Sequence, residues 1–149
     1  MYLRATLSSS RAEKTTLSHE FSLMEAYLDL MSVRMGKRLS FTLQLPHALE
    51  DVLIPPMLLQ PLIENAIKHG LEPKIDGGHI DVRATLEQGM LRLSIADTGL
   101  GLGVSPARGT QVGLANVRER LLALYGTSAS LLLLANPSDG TIAQLDLPS

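Results

Sequence analysis

The chain has no cysteine and no tryptophan among its 149 residues, and only 3% of it is aromatic. Without cysteine there is no disulfide framework and no thiolate metal site, a pattern that suits a reducing compartment. With so few rings, the core has to be built from Leu, Ile, Val, Ala and Met. An excess of positive charge is also missing. Lys and Arg number 13 against 15 Asp and Glu, a formal net charge of -2, so nothing suggests a nucleic-acid or anionic-lipid partner. No apolar run approaches the ~20 residues of a membrane span. The opening MYLRATLSSSRAEK lacks the apolar centre of a secretory signal. These absences lead to the expectation of a soluble cytoplasmic domain without membrane contact of its own, any membrane sensor of a longer protein lying outside this stretch. What is present, 45% hydrophobic and 19% charged residues, suffices for one domain with a real core.

Residues 8–16 are polar and read as loop or frayed terminus. From Leu17 to about Lys37 the pattern turns helical, with Leu23, Tyr27, Leu30, Met31 and Arg34 at spacings of three and four. Ser18, followed by Glu20 and Phe21, supplies a loose helix start, and Gly36 marks the end. Residues 40–45 alternate as a half-buried strand does, and Pro46 ends them. A second helix is predicted from Pro56 or Met57 to about His69, closed by Gly70, with Pro61 either marking its start or kinking it. The alternating runs 79–86 and 90–97, joined by Glu87-Gln88-Gly89, read as a hairpin. The glycine-rich stretch 99–113 is too long for a simple connector. A third helix over about 114–125 ends before Gly126, and 129–135 and 141–147 close the chain as strands around the turn 136–140. About three helices and five strands, mostly in sequential hairpins, predict an α+β sandwich: a mixed, mostly antiparallel sheet covered by helices on one face.

Three places carry candidate chemistry. On the second helix, steps of ~100° per residue put Leu59, Leu62, Ile63, Ala66 and Ile67 on one arc and Glu64, Asn65, Lys68 and His69 on the other. Asn65, Lys68 and His69 share one surface, an amide, an ammonium and an imidazole suited to hydrated Mg²⁺ and its phosphates. A solvated face with a Glu64–Lys68 helical pair is the plain alternative. On the strand 90–97, Asp97 has the parity of Leu91, Leu93 and Ile95, so a carboxylate ends the core-facing row. Either a ligand amino group partners it, or Asp97 opens an Asp-Thr-Gly turn. Third come Gly99, Gly101 and Gly103, then Gly109 and Gly113 directly before a helix. Glycines admit phosphate to backbone N–H groups and a helix start favours anions, though the spacing matches neither the P-loop nor the Rossmann fingerprint, and a merely flexible loop has the same composition.

In series, these segments resemble a known family. PLIENAIKHG (61–70) looks like the N-box of the histidine kinase ATPase fold, DTGLGL (97–102) like its G1 box and GTQVGLANVRERL (109–121) like its G2 box. The wording is most similar to the LytS/YehU-type sensor histidine kinases through YLDLMSVRMGKRL (27–39), IPPMLLQPLIENAIKHG (54–70), GLANVRERLLALYG (113–126) and GTIAQLDLP (140–148). The resemblance covers roughly residues 17–148. It implies the Bergerat two-layer sandwich of the GHKL superfamily. An N-terminal segment, 1–37, would hold a remnant of a dimerisation helix, and 38–149 would be the ATP-binding catalytic domain.

The resemblance also implies roles. Asn65 would ligate Mg²⁺, with Lys68 and His69 along the phosphates of ATP. Asp97 would accept a hydrogen bond from the adenine amino group, above a turn permitted by Gly99 and Gly101. Residues 102–112 would form a short lid, with Gly109, Thr110, Gly113 and Leu114 near the phosphates, and Thr141 close to adenine. Asn116, Arg118 and Arg120 match the family wording, the two arginines as structural or surface groups. Glu64 is a candidate catalytic residue beside Asn65 and Lys68, but related ATPases carry their base one helical turn before the Asn, where this chain has Pro61. That departure suits a kinase whose nucleophile is a partner histidine. His19, in Ser-His-Glu-Phe, superficially resembles a phosphoacceptor box, but Ser-Leu-Met follows it, and only 46 positions separate it from Asn65. The acceptor histidine is therefore expected outside the chain, on an adjoining helical domain. A response regulator would be the next partner, and the full-length protein would be membrane-anchored. A non-kinase module of the same superfamily and a degenerate binding domain are the alternatives.

Overall fold

The computed structural model describes residues 14–71, 75–99, 107–137 and 140–148. Strand β1 (Thr15–Thr16) leads directly into helix α1 (Leu17–Met35). The helix is capped by Thr16, whose hydroxyl accepts from the His19 N–H at 3.1 Å, rather than by Ser18. The reason is tertiary. The Leu17 and Ser18 N–H groups, which a helix start leaves without intrahelical partners, donate to Val52 O (2.9 Å) and Glu50 O (3.0 Å). Gly36 ends the helix at φ 61°, as its position implied.

Strand β2 (Leu39–Gln44) follows, then the short β3 (Leu53–Ile54), which pairs antiparallel with β1. This two-residue pair is too short for any periodicity to show. Helix α2 spans Gln60–Asn65 with proline in its first turn and continues as a π-helical turn, Ala66–Leu71. It does not begin at Pro56 or Met57, because Met57 has φ 63°, which no right-handed helix accommodates. Nor does Gly70 close it, since the wider π turn runs through to Leu71. For the described side chains the helical arcs hold, His69 lying outside them. Leu59, Leu62, Ile63, Ala66 and Ile67 are buried, Glu64 and Asn65 are half-buried and Lys68 is exposed.

Strands β4 (Gly78–Glu87) and β5 (Met90–Asp97) form the expected hairpin, with Gln88 (φ 51°) and Gly89 (φ 78°) both left-handed in a two-residue turn. Helix α3 covers Ala107–Tyr125, two turns longer at its start than the pattern after Gly113 suggested. Strands β6 (Ser130–Ala135) and β7 (Thr141–Pro148) complete the sheet.

The sheet order is β2-β4-β5-β7-β6, parallel only between β2 and β4. Period two sorts its faces. Ile80, Val82 and Ala84 on β4, Leu91, Leu93 and Ile95 on β5, and Ala143, Leu145 and Leu147 on β7 form buried rows against the helices. The other face is a polar ladder, in which Thr42 and Arg83 both bond Asp81 at 2.7 Å and Arg92 bonds Asp146 at 2.9 Å. Helix α1 joins the same core through Leu17, Phe21, Met24, Leu28 and Met35. The α+β two-layer sandwich with a mixed five-stranded sheet is thus the observed architecture.

Candidate functional site

Asp97 ends the core-facing row of β5 and is only 5% exposed. Its Oδ1 accepts from the Gly99 N–H at 2.9 Å. The carboxylate therefore both lies in the core row and shapes an Asx-type turn, so the two readings of the residue combine. Its main-chain oxygen accepts from Asn136 Nδ2 at 2.8 Å. Thr98 fixes the other side of the turn: its N–H donates to His79 O at 3.1 Å, and its hydroxyl accepts from the His79 N–H at 2.9 Å.

Two glycines let other elements close on this turn. Gly140, at φ 90°, sits where any Cβ would overlap the Asp97 carbonyl oxygen and come within 2.7 Å of the Gly99 nitrogen. Gly78 occupies the junction of β4, the turn and the π segment. A Cβ there would overlap Thr98 Oγ1 and approach Leu71 Cδ2 at 2.9 Å. Thr141, directly after Gly140, is half-buried at the start of β7, and Ala96 pairs with Ile142 next to it. The Asp97 turn, the end of the α2 segment and the start of β7 thus converge.

On α2, Asn65 lies on the last α-helical residue before the π turn. Such turns often accompany functional sites. Among the described residues, its Nδ2 is buried without a hydrogen-bond partner, as is Oε1 of Gln60 at the helix start. A buried amide left unpaired costs about 1–3 kcal/mol, a cost that a hydrogen-bonding group bound there would offset. An amide turned over presents its oxygen instead, so Asn65 fits a hydrated cation carrying phosphates. Among the described residues no three His, Cys, Asp or Glu side chains cluster as a metal cage, so the remaining ligands would come from phosphate oxygens and water. Glu64 beside it is half-buried and Lys68 is exposed.

Of the other candidates, His69 lies in the π turn with its side chain outside the described residues, and Gly101 is outside them altogether. Gly109, Thr110 and Gly113 fall within α3, and Leu114 is 3% exposed in the core. Residues 107–112 are helical rather than part of a lid loop, which corrects that expectation. The rest of the proposed lid, 102–106, lies outside the described residues, as does 1–13. Arg118 donates to Leu131 O at 3.3 Å, and Arg120 donates to Pro56 O and Met57 O, so both hold main chain in place. His19 is an exposed residue in the first turn of α1. The pattern reading overlooked Gln60, Gly78, Thr98 and Asn136. Of these, Thr98 and Asn136 lay in turns that the pattern predicted and Gly78 was a strand glycine, but Gln60 had no local signal.

Residues 51–149 match the family described as histidine kinase-, DNA gyrase B- and HSP90-like ATPases. The sensor protein LytS of Staphylococcus epidermidis is 31% identical over 97% of this chain and 26% of that protein. The sensor histidine kinase/phosphatase LytS of Staphylococcus aureus is 34% identical over 99% of this chain and 27% of its own length. The chain therefore spans about a quarter of the curated relatives it matches. In three dimensions it is similar to the nucleotide-free catalytic domain of the histidine kinase ThkA, with a TM-score of 0.68 at 17% identity over 91% of this chain and 93% of that one. It is also similar to the Acinetobacter baumannii histidine kinase AdeS, at 0.63 and 19% over 97% and 74%. No helix among the described residues is long and apolar enough to cross a membrane.

Proposed function

Because the chain belongs to the histidine kinase-, DNA gyrase B- and HSP90-like ATPase family, we propose that it binds Mg·ATP as the catalytic domain of a sensor histidine kinase and passes the γ-phosphoryl group to a histidine outside the chain. The observation that carries this reading is Asp97. A buried carboxylate, held by the Gly99 N–H and backed by Gly140, is a fixed acceptor for an amino group such as that of adenine. Asn65, with its unpartnered amide on the polar side of α2, is the residue that would hold the metal, and Lys68 would pair with phosphate oxygens. When bound, Mg²⁺ neutralises phosphate charge during transfer. His69, Gly99, Gly101, Gly109, Thr110, Gly113, Leu114 and Thr141 complete the proposed nucleotide contacts.

The chain's own part is binding and orientation, which suits phosphoryl transfer with little covalent chemistry for the protein to perform. Glu64 neighbours Asn65 on the helix and would assist by accepting a proton from the attacking imidazole, not by activating water. A response regulator then receives the phosphoryl group, and the domain works on the cytoplasmic side of a membrane-anchored protein.

Calorimetry with Mg·ATP and Mg·ADP tests the reading. Wild type should bind in the micromolar-to-millimolar range. Asp97→Asn keeps an oxygen for the Gly99 N–H but turns an NH₂ toward the adenine amino group. Leaving two donors face to face should weaken binding about 30- to 1,000-fold. A folded wild type that binds neither nucleotide would sink the proposal and leave a degenerate binding domain. Steady ATP hydrolysis without any acceptor would favour a non-kinase ATPase of the same superfamily.

A further inference from the structure

Glu20 on α1 and Arg120 on α3 stand apart from the residues just described and meet at the two peptide groups that flank Met57, in the connection between β3 and α2. Glu20 on α1 is 2% exposed, and its Oε1 accepts from the Met57 N–H at 3.0 Å. Arg120 on α3 donates from one terminal nitrogen to Met57 O at 3.1 Å and from the other to Pro56 O at 2.7 Å. Met57, held between them, has φ 63°, a conformation that L side chains rarely adopt. Its own side chain is 47% exposed and anchors it little.

Such conformations persist where the surroundings over-determine them. Here a buried carboxylate takes the N–H while a guanidinium fork takes two carbonyls. The chain then runs through Leu58 and Leu59, both fully buried, and Leu59 O accepts from the Leu62 and Ile63 N–H groups that open α2. Helix α2, which carries Asn65, therefore begins three residues after the clamped Met57.

We propose that Glu20 and Arg120 are positioning residues for the nucleotide site, holding the Met57 peptide left-handed so that α1 and α3 together fix the direction in which α2 presents Asn65. The inference rests on the nucleotide reading for its functional consequence only.

The test uses the whole chain, with Mg·ADP calorimetry and amide hydrogen exchange read side by side. Arg120→Ala should weaken Mg·ADP binding about tenfold or more. It should also speed exchange of the α2 amides about tenfold relative to those of β4 and β5. Glu20→Ala should act in the same direction, whereas Glu20→Gln, which keeps an acceptor for the Met57 N–H, should stay near wild type. Adding Met57→Gly to Arg120→Ala should restore most of both losses, because glycine takes a left-handed φ unaided. Arg120→Ala that binds and exchanges like wild type overturns the proposal, and so does a double variant no better than Arg120→Ala. If Arg120→Ala does not fold, Arg120→Lys decides by the same two readouts, since lysine keeps the charge but loses the fork. If wild type binds no Mg·ADP, the nucleotide reading falls by itself and the exchange comparison still decides the clamp.

Discussion

Replacing Gly140 by alanine isolates the contact on which the Asp97 turn depends. Two costs are expected. The first is conformational: φ 90° is open to glycine and strained for alanine, by about 1–2 kcal/mol. The second is steric. The new methyl lands on the Asp97 carbonyl and within 2.7 Å of the Gly99 nitrogen, both of them main chain that has no rotamer to escape into. Relief requires β7 to draw away from the turn. That loosens the bonds from Asn136 N to Gly140 O (3.1 Å) and from Asn136 Nδ2 to Asp97 O (2.8 Å), each worth about 1 kcal/mol. Together these give a loss of roughly 3–4 kcal/mol, or about 6–16 °C in melting temperature for a chain of this size. Gly89→Ala is the matched control, because Gly89 has φ 78° with nothing within 4 Å of its would-be Cβ. It should lose only the conformational part. Urea and thermal unfolding followed by circular dichroism read both variants. Equal losses in the two would refute the close approach of β7 to the Asp97 turn. Nucleotide binding should fall in Gly140→Ala and hold in Gly89→Ala.

Burial raises the Glu20 carboxyl above its usual 4.5, an effect only partly offset by the Met57 N–H and by the charges of His19 and Arg120. A raised folded-state value means that this stabilising contribution is present below the unfolded value and lost as pH rises through the folded one. Glu20→Gln should therefore gain stability relative to wild type between pH 4 and pH 7 in urea titrations, and a constant difference would contradict it. Leu28→Ala, at a fully buried α1 position, should cost about 2–5 kcal/mol. Its unfolding should remain a single transition by both circular dichroism and exchange, whereas a separate early transition would show α1 to be an independent unit. Incubated with labelled ATP alone, the chain should acquire no acid-labile phosphohistidine; label at His19 would overturn the assignment of the acceptor elsewhere.

Much of this protein is determined by local pattern. Period-two rows placed β4, β5 and β7 and put Asp97 on the buried face. Period 3.6 sorted α2 into an apolar arc and the arc that bears Asn65, and Gly36, Gly89 and Gly126 each fell where a left-handed residue ends an element. The serial order of the glycine and asparagine segments is itself the mark of the family. Tertiary structure alone decided the rest. Met57 is left-handed because Glu20 and Arg120, 37 and 63 positions away, take its N–H and carbonyl. That contact delays α2 until Gln60, and no local propensity records it. The cap of α1 moved to Thr16 because the 50–52 backbone supplied acceptors for Leu17 and Ser18. Gly140 reads as an ordinary turn glycine until β7 is seen to press it against Asp97. Local pattern selects which faces are buried, since that depends on each residue and its near neighbours. Where main chain meets main chain across the fold, distant residues set the geometry.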